Sequence, residues 1–233
     1  MLPRSYFHLR APKHQLWRGC VLCAAWTFVI YSCLMSIQSG HSIGILRLVL
    51  ITLQNQHQEL YFLLPFSVGA WLLYFRRPSA QELWFLADQN KFIQFLIVYI
   101  LRLLVIYVVA IVLASSLILT QSPTVFLDSA NVPLALVLMT GHLLGVTLSW
   151  FALGVVINVW KPLVAVIGYA AFILGDHYLF TKVNWSIFLT NGLTVPVNQY
   201  GLNVITNLFL YIFYAGVMIR TVQPLLKSRG ALR

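Results

Sequence analysis

Charged side chains are scarce in this sequence, and acidic ones are the scarcest. Only 9% of the 233 residues are Asp, Glu, Lys or Arg, and five acidic residues stand against 15 basic ones. In a soluble domain, about a quarter of the residues are charged. Apolar residues make up 60% of the chain, so the few polar side chains cannot cover a water-soluble globule. The composition therefore indicates an integral membrane protein.

Cysteine is rare, and two common catalytic motifs are missing. The sequence has neither a His-Glu-x-x-His zinc helix nor a Walker lysine loop for nucleotide phosphates. Cys20, Cys23 and Cys33 all lie in or beside the first apolar segment. The first two have CxxC spacing, but the start of a membrane helix offers neither the water nor the partners of a redox or zinc site, which favours helix packing. The sequence alone shows no means of hydrolysing ATP.

The net charge of +10 does not indicate a nucleic-acid partner. The basic residues cluster at the ends of apolar segments, which is where membrane topology places them. Membrane lipids are the partners that this distribution predicts.

Six apolar segments are long enough to be membrane spans, since about 20 helical residues cross about 30 Å of hydrocarbon. They cover about 19–38, 59–75, 96–119, 133–158, 162–181 and 202–220. The shorter apolar piece 43–53 contains Arg47, which favours an interfacial or re-entrant segment. Residues 183–201 are interrupted by Asn191-Gly192 and Pro196 and predict a broken hairpin on the outer side.

The distribution of Lys and Arg predicts the orientation of these spans. With both termini inside, thirteen basic residues lie on the cytoplasmic side and only Arg47 and Lys182 lie outside. An odd number of spans would put one basic terminus outside, so the bias also favours six. We expect an all-α protein of the bacterial inner membrane, with residues 1–18 as a cytoplasmic amphipathic helix.

The segment 76–91 (RRPSAQELWFLADQNK) is the one long interior stretch with dense charge. Ser79 and Glu82 have the spacing of a capping box, and Pro78 prevents the preceding helix from continuing smoothly. The pattern predicts a short amphipathic helix at 79–90, on the cytoplasmic surface between spans 2 and 3. Such a helix offers a binding surface to a cytosolic partner.

Excluding the terminal residues of each span, two permanently ionisable side chains lie within the predicted spans. Arg102 is near the cytoplasmic start of span 3, where snorkelling or a structural pair is favoured over a role in cargo passage or subunit contact. Asp176, followed by His177, is near the outer end of span 5. A hydrated pair at the outer edge is favoured there over a metal site or a proton relay.

One histidine lies deep in an apolar segment. His142 is in span 4, where Gly141 and Gly145 form a GxxxG pattern that lets another helix come close. Helix packing is the favoured interpretation, and a role in translocation is the alternative.

The order of these elements resembles the transmembrane subunit of an ABC-2-type ATP-binding-cassette exporter. The resemblance lies in an amphipathic helix before span 1, a charged helix between spans 2 and 3, and a broken outer hairpin between spans 5 and 6. It covers nearly the whole chain, but the local sequence similarity is confined to residues 76–91.

This resemblance implies a partner ATPase and a second permease subunit, identical or homologous. Residues 79–90 would be the coupling helix in a groove of the ATPase, and residues 1–18 the connecting helix. The ATPase would bind ATP and Mg²⁺, and this chain would bind no cofactor or metal. The implied contacts on the coupling helix are Ser79, Glu82, Leu83, Trp84, Phe85 and Asp88. The cargo would be hydrophobic or amphipathic: a peptide, an antimicrobial or a lipid-like compound.

Two other functions fit the sequence. A membrane scaffold or assembly factor would use residues 79–90 to bind another protein without transport. An enzyme acting on lipids would use Asp176, His177 and His142. The enzyme is disfavoured because the predicted spans bring no acid, base and nucleophile to one depth.

Overall fold

The computed structural model describes residues 14–38, 42–53, 64–74, 89–127, 132–159 and 162–183, together with 209, 212–213 and 215–221. Six helices account for most of these residues: α1 (His14–Gln38), α2 (Ile45–Leu53), α3 (Leu64–Tyr74), α4 (Gln89–Gln121), α5 (Val132–Val159) and α6 (Pro162–Val183). Two short strands, β1 (Ile43–Gly44) and β2 (Val125–Phe126), pair in parallel. Residues 215–221 are also helical. The chain is the mostly helical membrane protein that its composition predicts.

Three helices are long and apolar enough to cross a membrane. They are Leu16–Gln38 in α1, Phe92–Gln121 in α4 and Ala135–Ile157 in α5. In α6 the apolar part, Leu163–Leu179, is shorter, and α3 has 11 residues. The three long helices match predicted spans 1, 3 and 4, while the total of six spans stays a prediction.

Two helices begin earlier than the hydropathy pattern predicts. α1 begins at His14, so residues 14–18 continue into the first span instead of forming a separate surface helix. α4 begins at Gln89 and takes in the end of the predicted 79–90 helix. No proline or glycine interrupts α4, and it ends just before Pro123, which disfavours helical backbone in the residue before it. Residues 1–13, 75–88 and 184–201 lie outside the described residues.

The apolar piece 43–53 forms β1 and the amphipathic helix α2. The buried residues of α2 follow the spacing of a single helix face: Ile45, Leu48, Val49, Thr52 and Leu53. This face packs against α1, α4 and α5, while Arg47 is exposed on the other side. With 9 residues, α2 is too short to span a bilayer.

Helices α1 and α4 lie side by side and run in the same direction. The ring of Trp26 in α1 contacts that of Tyr107 in α4, at a centroid distance of 5.3 Å. At the far end, the Gln38 amide of α1 donates to the Ser122 and Thr124 hydroxyls that follow α4. The backbone N–H of Ile43 also donates to the Thr124 carbonyl, at 3.2 Å. We call this set of contacts the polar fastening of α1 and α4.

Helix α5 runs opposite to α4. Gly154 near the end of α5 lies against Leu96 near the start of α4. His142, earlier in α5, contacts Tyr107, later in α4. α1 and α4 therefore point one way and α5 the other.

Helix α3 runs parallel to α5. Ser67 of α3 accepts a hydrogen bond from Trp150 of α5, and one turn later Trp71 lies against Gly154. The directions of α1, α3, α4 and α5 thus alternate along the chain.

Candidate functional site

The length of helix α4 provides a measure of depth along the bundle. Lys91 and Gln121, near its two ends, are 30 residues apart, or about 45 Å at 1.5 Å per residue. A bilayer with its headgroups is about 40–45 Å thick. Tyr107 is 16 residues from Lys91 and 14 from Gln121, so it lies near the middle of α4, and a bilayer centred on this helix has its midplane at Tyr107 and the side chains that contact it.

An aromatic cluster surrounds Tyr107 at this depth. Trp26 of α1 and Trp150 of α5 stack with ring centroids 5.7 Å apart, and Tyr107 meets both rings in edge-on geometry. Phe66 of α3 packs on Trp26 at 6.2 Å. Trp26, Tyr107 and Trp150 are each at most 1% exposed. Aromatic pairs of this kind contribute about 0.5–1.5 kcal/mol each beyond the area they bury. The cluster joins four helices.

Two polar groups of the cluster, the Trp150 indole N–H and the Tyr107 hydroxyl, have specific partners. The indole N–H of Trp150 donates to Ser67 Oγ at 2.8 Å. The hydroxyl of Tyr107 and Nε2 of His142 are 3.1 Å apart. His142 is 2% exposed, and its Nδ1 has no hydrogen-bond partner within the part of the chain that the structure describes. A buried polar atom without a hydrogen-bond partner costs free energy, so this nitrogen is a position where a bound group or a water would be stabilised.

Asp176 lies level with His142 in the neighbouring helix. The Tyr169 hydroxyl of α6 donates to Ser149 Oγ of α5 at 3.2 Å, which sets the register of these two antiparallel helices. Asp176 follows Tyr169 by seven residues, and His142 precedes Ser149 by seven. Seven residues are almost two full helical turns, so each residue stays on the same helix face as its predecessor.

Asp176 is only 3% exposed, so its side chain is buried among its neighbours instead of being hydrated. His177 beside it is half-buried. The register also brings an acid and a base, Asp176 and His142, to the level of Tyr107. The sequence could not reveal this, since depth within α6 depends on its contacts with α5. Ionisable groups buried within a membrane bundle commonly mark substrate or ion pathways.

Arg102 lies on the opposite surface of α4 from the cluster. It is exposed, five residues before Tyr107, which places its backbone about 8 Å from the level of Tyr107. It takes no part in the site around His142. Its exposure is compatible with both snorkelling and contact with another subunit.

Gly154 is a position that the sequence did not single out. A Cβ built there would lie 2.5 Å from Cη2 of Trp71 and 3.2 Å from Cδ2 of Leu96, so no side chain fits. The GxxxG residues Gly141 and Gly145 are half-buried and buried. The available signal was an isolated glycine inside a helical segment.

Residues 40–44 read Gly-His-Ser-Ile-Gly, a Gly-x-Ser-x-Gly pattern that the candidates above do not include. In a nucleophile elbow the serine stands between a strand and a helix. Here Ser42 precedes β1, and α2 follows β1, so the order of the elements differs. Ser42 is also exposed. Within the described residues 42–53, the order of serine, strand and helix is not that of a nucleophile elbow.

Metal sites and known relatives give no further guidance. Among the described residues, no group of three or more His, Cys, Asp or Glu could hold a metal ion, and Cys20, Cys23 and Cys33 are free thiols. No family model, curated protein or solved structure matches the chain. All six predicted coupling-helix contacts lie outside the described residues. They are Ser79, Glu82, Leu83, Trp84, Phe85 and Asp88.

Proposed function

We propose that this chain is the permease subunit of an exporter driven by a separate cytosolic ATPase. The observation that carries the proposal is the continuity of α4. This helix begins at Gln89, inside the charged segment 76–91, and runs unbroken to Gln121. A protein bound at 79–90 would thus act directly on the helix that carries Tyr107 into the aromatic cluster.

The length of α4 supports this connection. Its 33 residues measure about 50 Å, somewhat more than a bilayer with its headgroups. The first turn of α4 therefore reaches the membrane surface while Tyr107 stays near the midplane. The alternating helix directions support a topology in which segment 76–91 and the N-terminus lie on one side, and the charge bias makes that side cytoplasmic.

The site around Tyr107 suits a cargo with apolar and polar parts. Tryptophan and tyrosine rings offer apolar contact, while His142 and Asp176 offer a hydrogen-bonding atom and an acid at the same depth. Transporter sites commonly lie near the bilayer midplane. The cargo class is a peptide, an antimicrobial or a lipid-like amphiphile, and a second permease subunit completes the path. ATP and Mg²⁺ bind to the partner ATPase.

The proposal is tested by searching the neighbouring reading frames for a Walker-motif ATPase without membrane spans, by co-purification of this chain with that ATPase, and by ATP hydrolysis in proteoliposomes. Glu82→Arg reverses a charge on the proposed contact surface. Asp128→Arg makes the same change in the loop predicted to lie outside and is the matched control. We expect Glu82→Arg to lower both recovery of the ATPase and hydrolysis at least tenfold, and Asp128→Arg to leave both unchanged.

Equal behaviour of the two variants would contradict the proposal. Purification of the chain with a partner that has no ATPase activity would favour a scaffold or assembly factor. The shared depth of Tyr107, His142 and Asp176 keeps an intramembrane lipid-modifying enzyme as the second candidate. Turnover of lipid by the purified chain alone, lost in Asp176→Asn, would establish that function instead.

A further inference from the structure

A cavity of about 350 Å³ lies between α1 and α3. Its walls are apolar, with Val21 and Leu22 on one side and Phe66 and Gly69 on the other, and Arg18 and Trp17 stand at one end. Volumes of about 300–1,000 Å³ are typical of small-molecule sites. The cavity lies outside the cluster around Tyr107, although Phe66 borders both.

The depth of the cavity matches one leaflet of a bilayer. Trp26 contacts Tyr107 near the midplane, and Arg18 precedes Trp26 by eight residues, or about 12 Å of helix. Half of the hydrocarbon thickness is about 15 Å. The apolar walls therefore lie at the level of acyl chains. Arg18, which is exposed, reaches the level of the headgroups, and Trp17 occupies the interfacial zone that tryptophan prefers.

We propose that this cavity binds one anionic phospholipid, with an acyl chain between α1 and α3 and its phosphate at Arg18. The guanidinium fork matches a phosphate in charge and in planar, bidentate geometry. A lipid satisfies both ends of the site at once, because its acyl chain suits the apolar wall at Phe66 and its charged head suits the guanidinium of Arg18. The proposal does not depend on the exporter function.

Two glycines provide a matched pair of variants. Gly69 lines the cavity, and a Cβ built on it meets no atom within 4 Å, so a side chain begins there in open space. Gly175 in α6 has equally open surroundings but does not line the cavity. Leucine at either position improves helix propensity to the same degree. Gly69→Leu thus fills the site, and Gly175→Leu controls for the substitution itself.

The test uses the full-length chain, delipidated in detergent and titrated with lipid under native mass spectrometry. Phosphatidylglycerol and phosphatidylcholine with identical acyl chains serve as probes. We expect one phosphatidylglycerol per chain, bound about tenfold more tightly than phosphatidylcholine, a difference of about 1.4 kcal/mol. Gly69→Leu should weaken its binding at least tenfold, and Gly175→Leu should not change it.

A second pair of variants tests the charge. Arg18→Gln should abolish the preference for phosphatidylglycerol while the chain still binds lipid. Arg47 is an exposed arginine of α2, and Arg47→Gln should preserve the preference.

Equal affinity for both lipids in the unaltered chain would overturn the proposal, as would unchanged binding in Gly69→Leu. Binding of glycerol phosphate as tight as that of the lipid would reduce the site to a simple anion site. If Gly69→Leu instead converted a dimer to a monomer without affecting lipid, the occupant would be a second copy of the chain. Should Gly69→Leu fail to fold by circular dichroism and gel filtration, the arginine pair decides.

Discussion

Trp26 and Trp150 stack nearly face to face, with ring planes 10° apart and centroids 5.7 Å apart. They belong to α1 and α5, and Tyr107 of α4 places its ring edge-on against both. Three helices that are distant in sequence therefore meet through three rings. Any displacement of α4 must shift Tyr107 relative to both indoles, which makes this contact the natural place to test how the bundle is held.

Removing the Tyr107 hydroxyl should destabilise the bundle. In Tyr107→Phe the ring packing is retained, but Nε2 of His142 loses its partner inside a buried site. An unsatisfied buried polar group costs about 1–3 kcal/mol. We expect a loss of that size in the free energy of unfolding, measured by denaturant titration in mixed micelles. Tyr178→Phe is the control, because Tyr178 is 63% exposed, and a comparable loss there would disprove the assignment.

Replacing both partners should be milder than replacing one. The double variant Tyr107→Phe with His142→Phe removes the hydroxyl and the imidazole together, and with them the open Nδ1. When both hydrogen-bonding groups are exchanged for apolar groups of similar shape, the change can be nearly neutral. We expect the double variant to recover at least half of the stability lost in Tyr107→Phe. Additive losses would show that the two side chains act independently.

Adding a single methyl group at Gly154 should strain the packing of α5 on α3. The new Cβ would be 2.5 Å from Cη2 of Trp71, and the indole is 1% exposed, with no room to yield. Overpacking of this kind typically costs about 1–3 kcal/mol. Gly175→Ala meets open space and should stabilise its helix by about 0.5–1 kcal/mol. Thermal unfolding curves of the two variants should therefore shift in opposite directions.

Loss of the Gln38 amide should loosen the polar fastening locally. Gln38→Leu removes the hydrogen bonds to Ser122 and Thr124, while most of α1 and α4 stays packed. Amide hydrogen exchange should become faster at Ile43 and Val125, whose N–H groups bond within this region. The control is Ser32→Ala, whose hydroxyl bonds only to the Phe28 carbonyl of its own helix. Unchanged exchange at Ile43 in Gln38→Leu would show that β1 and β2 hold the two helices together without the amide.

Hydropathy and charge predicted the membrane class and the approximate extents of α4 and α5. The start of α6 at Pro162 also agrees with the sequence, since proline is favoured in the first turn of a helix. The start of α1 was placed too late, because a helix can continue past an arginine whose side chain reaches the interface. These properties are readable from local sequence alone.

The contacts between helices were not readable in that way. Asp176 looked like an edge residue because it lies near the outer end of predicted span 5, yet its level relative to α5 follows from the bond between Tyr169 and Ser149. Gly154 carried no pattern of its own, and only the indole of Trp71 explains it. The partner of His142 lies 35 residues away along the chain. Register between helices is a property of packed surfaces, so one sequence gives little information about it.

The polar fastening has a mechanical consequence for α4. The helix is held at the Ser122 end, while its other end leads into the charged segment 76–91. Ser122 then serves as a fulcrum, with Tyr107 fifteen residues from it and Gln89 thirty-three. For a rigid tilt, displacement grows with distance from the fulcrum, so Gln89 moves about twice as far as Tyr107. A push on Gln89 at the membrane surface would therefore move Tyr107 about half as far as Gln89. By the same ratio, the force on the aromatic cluster would be about twice the force applied at Gln89.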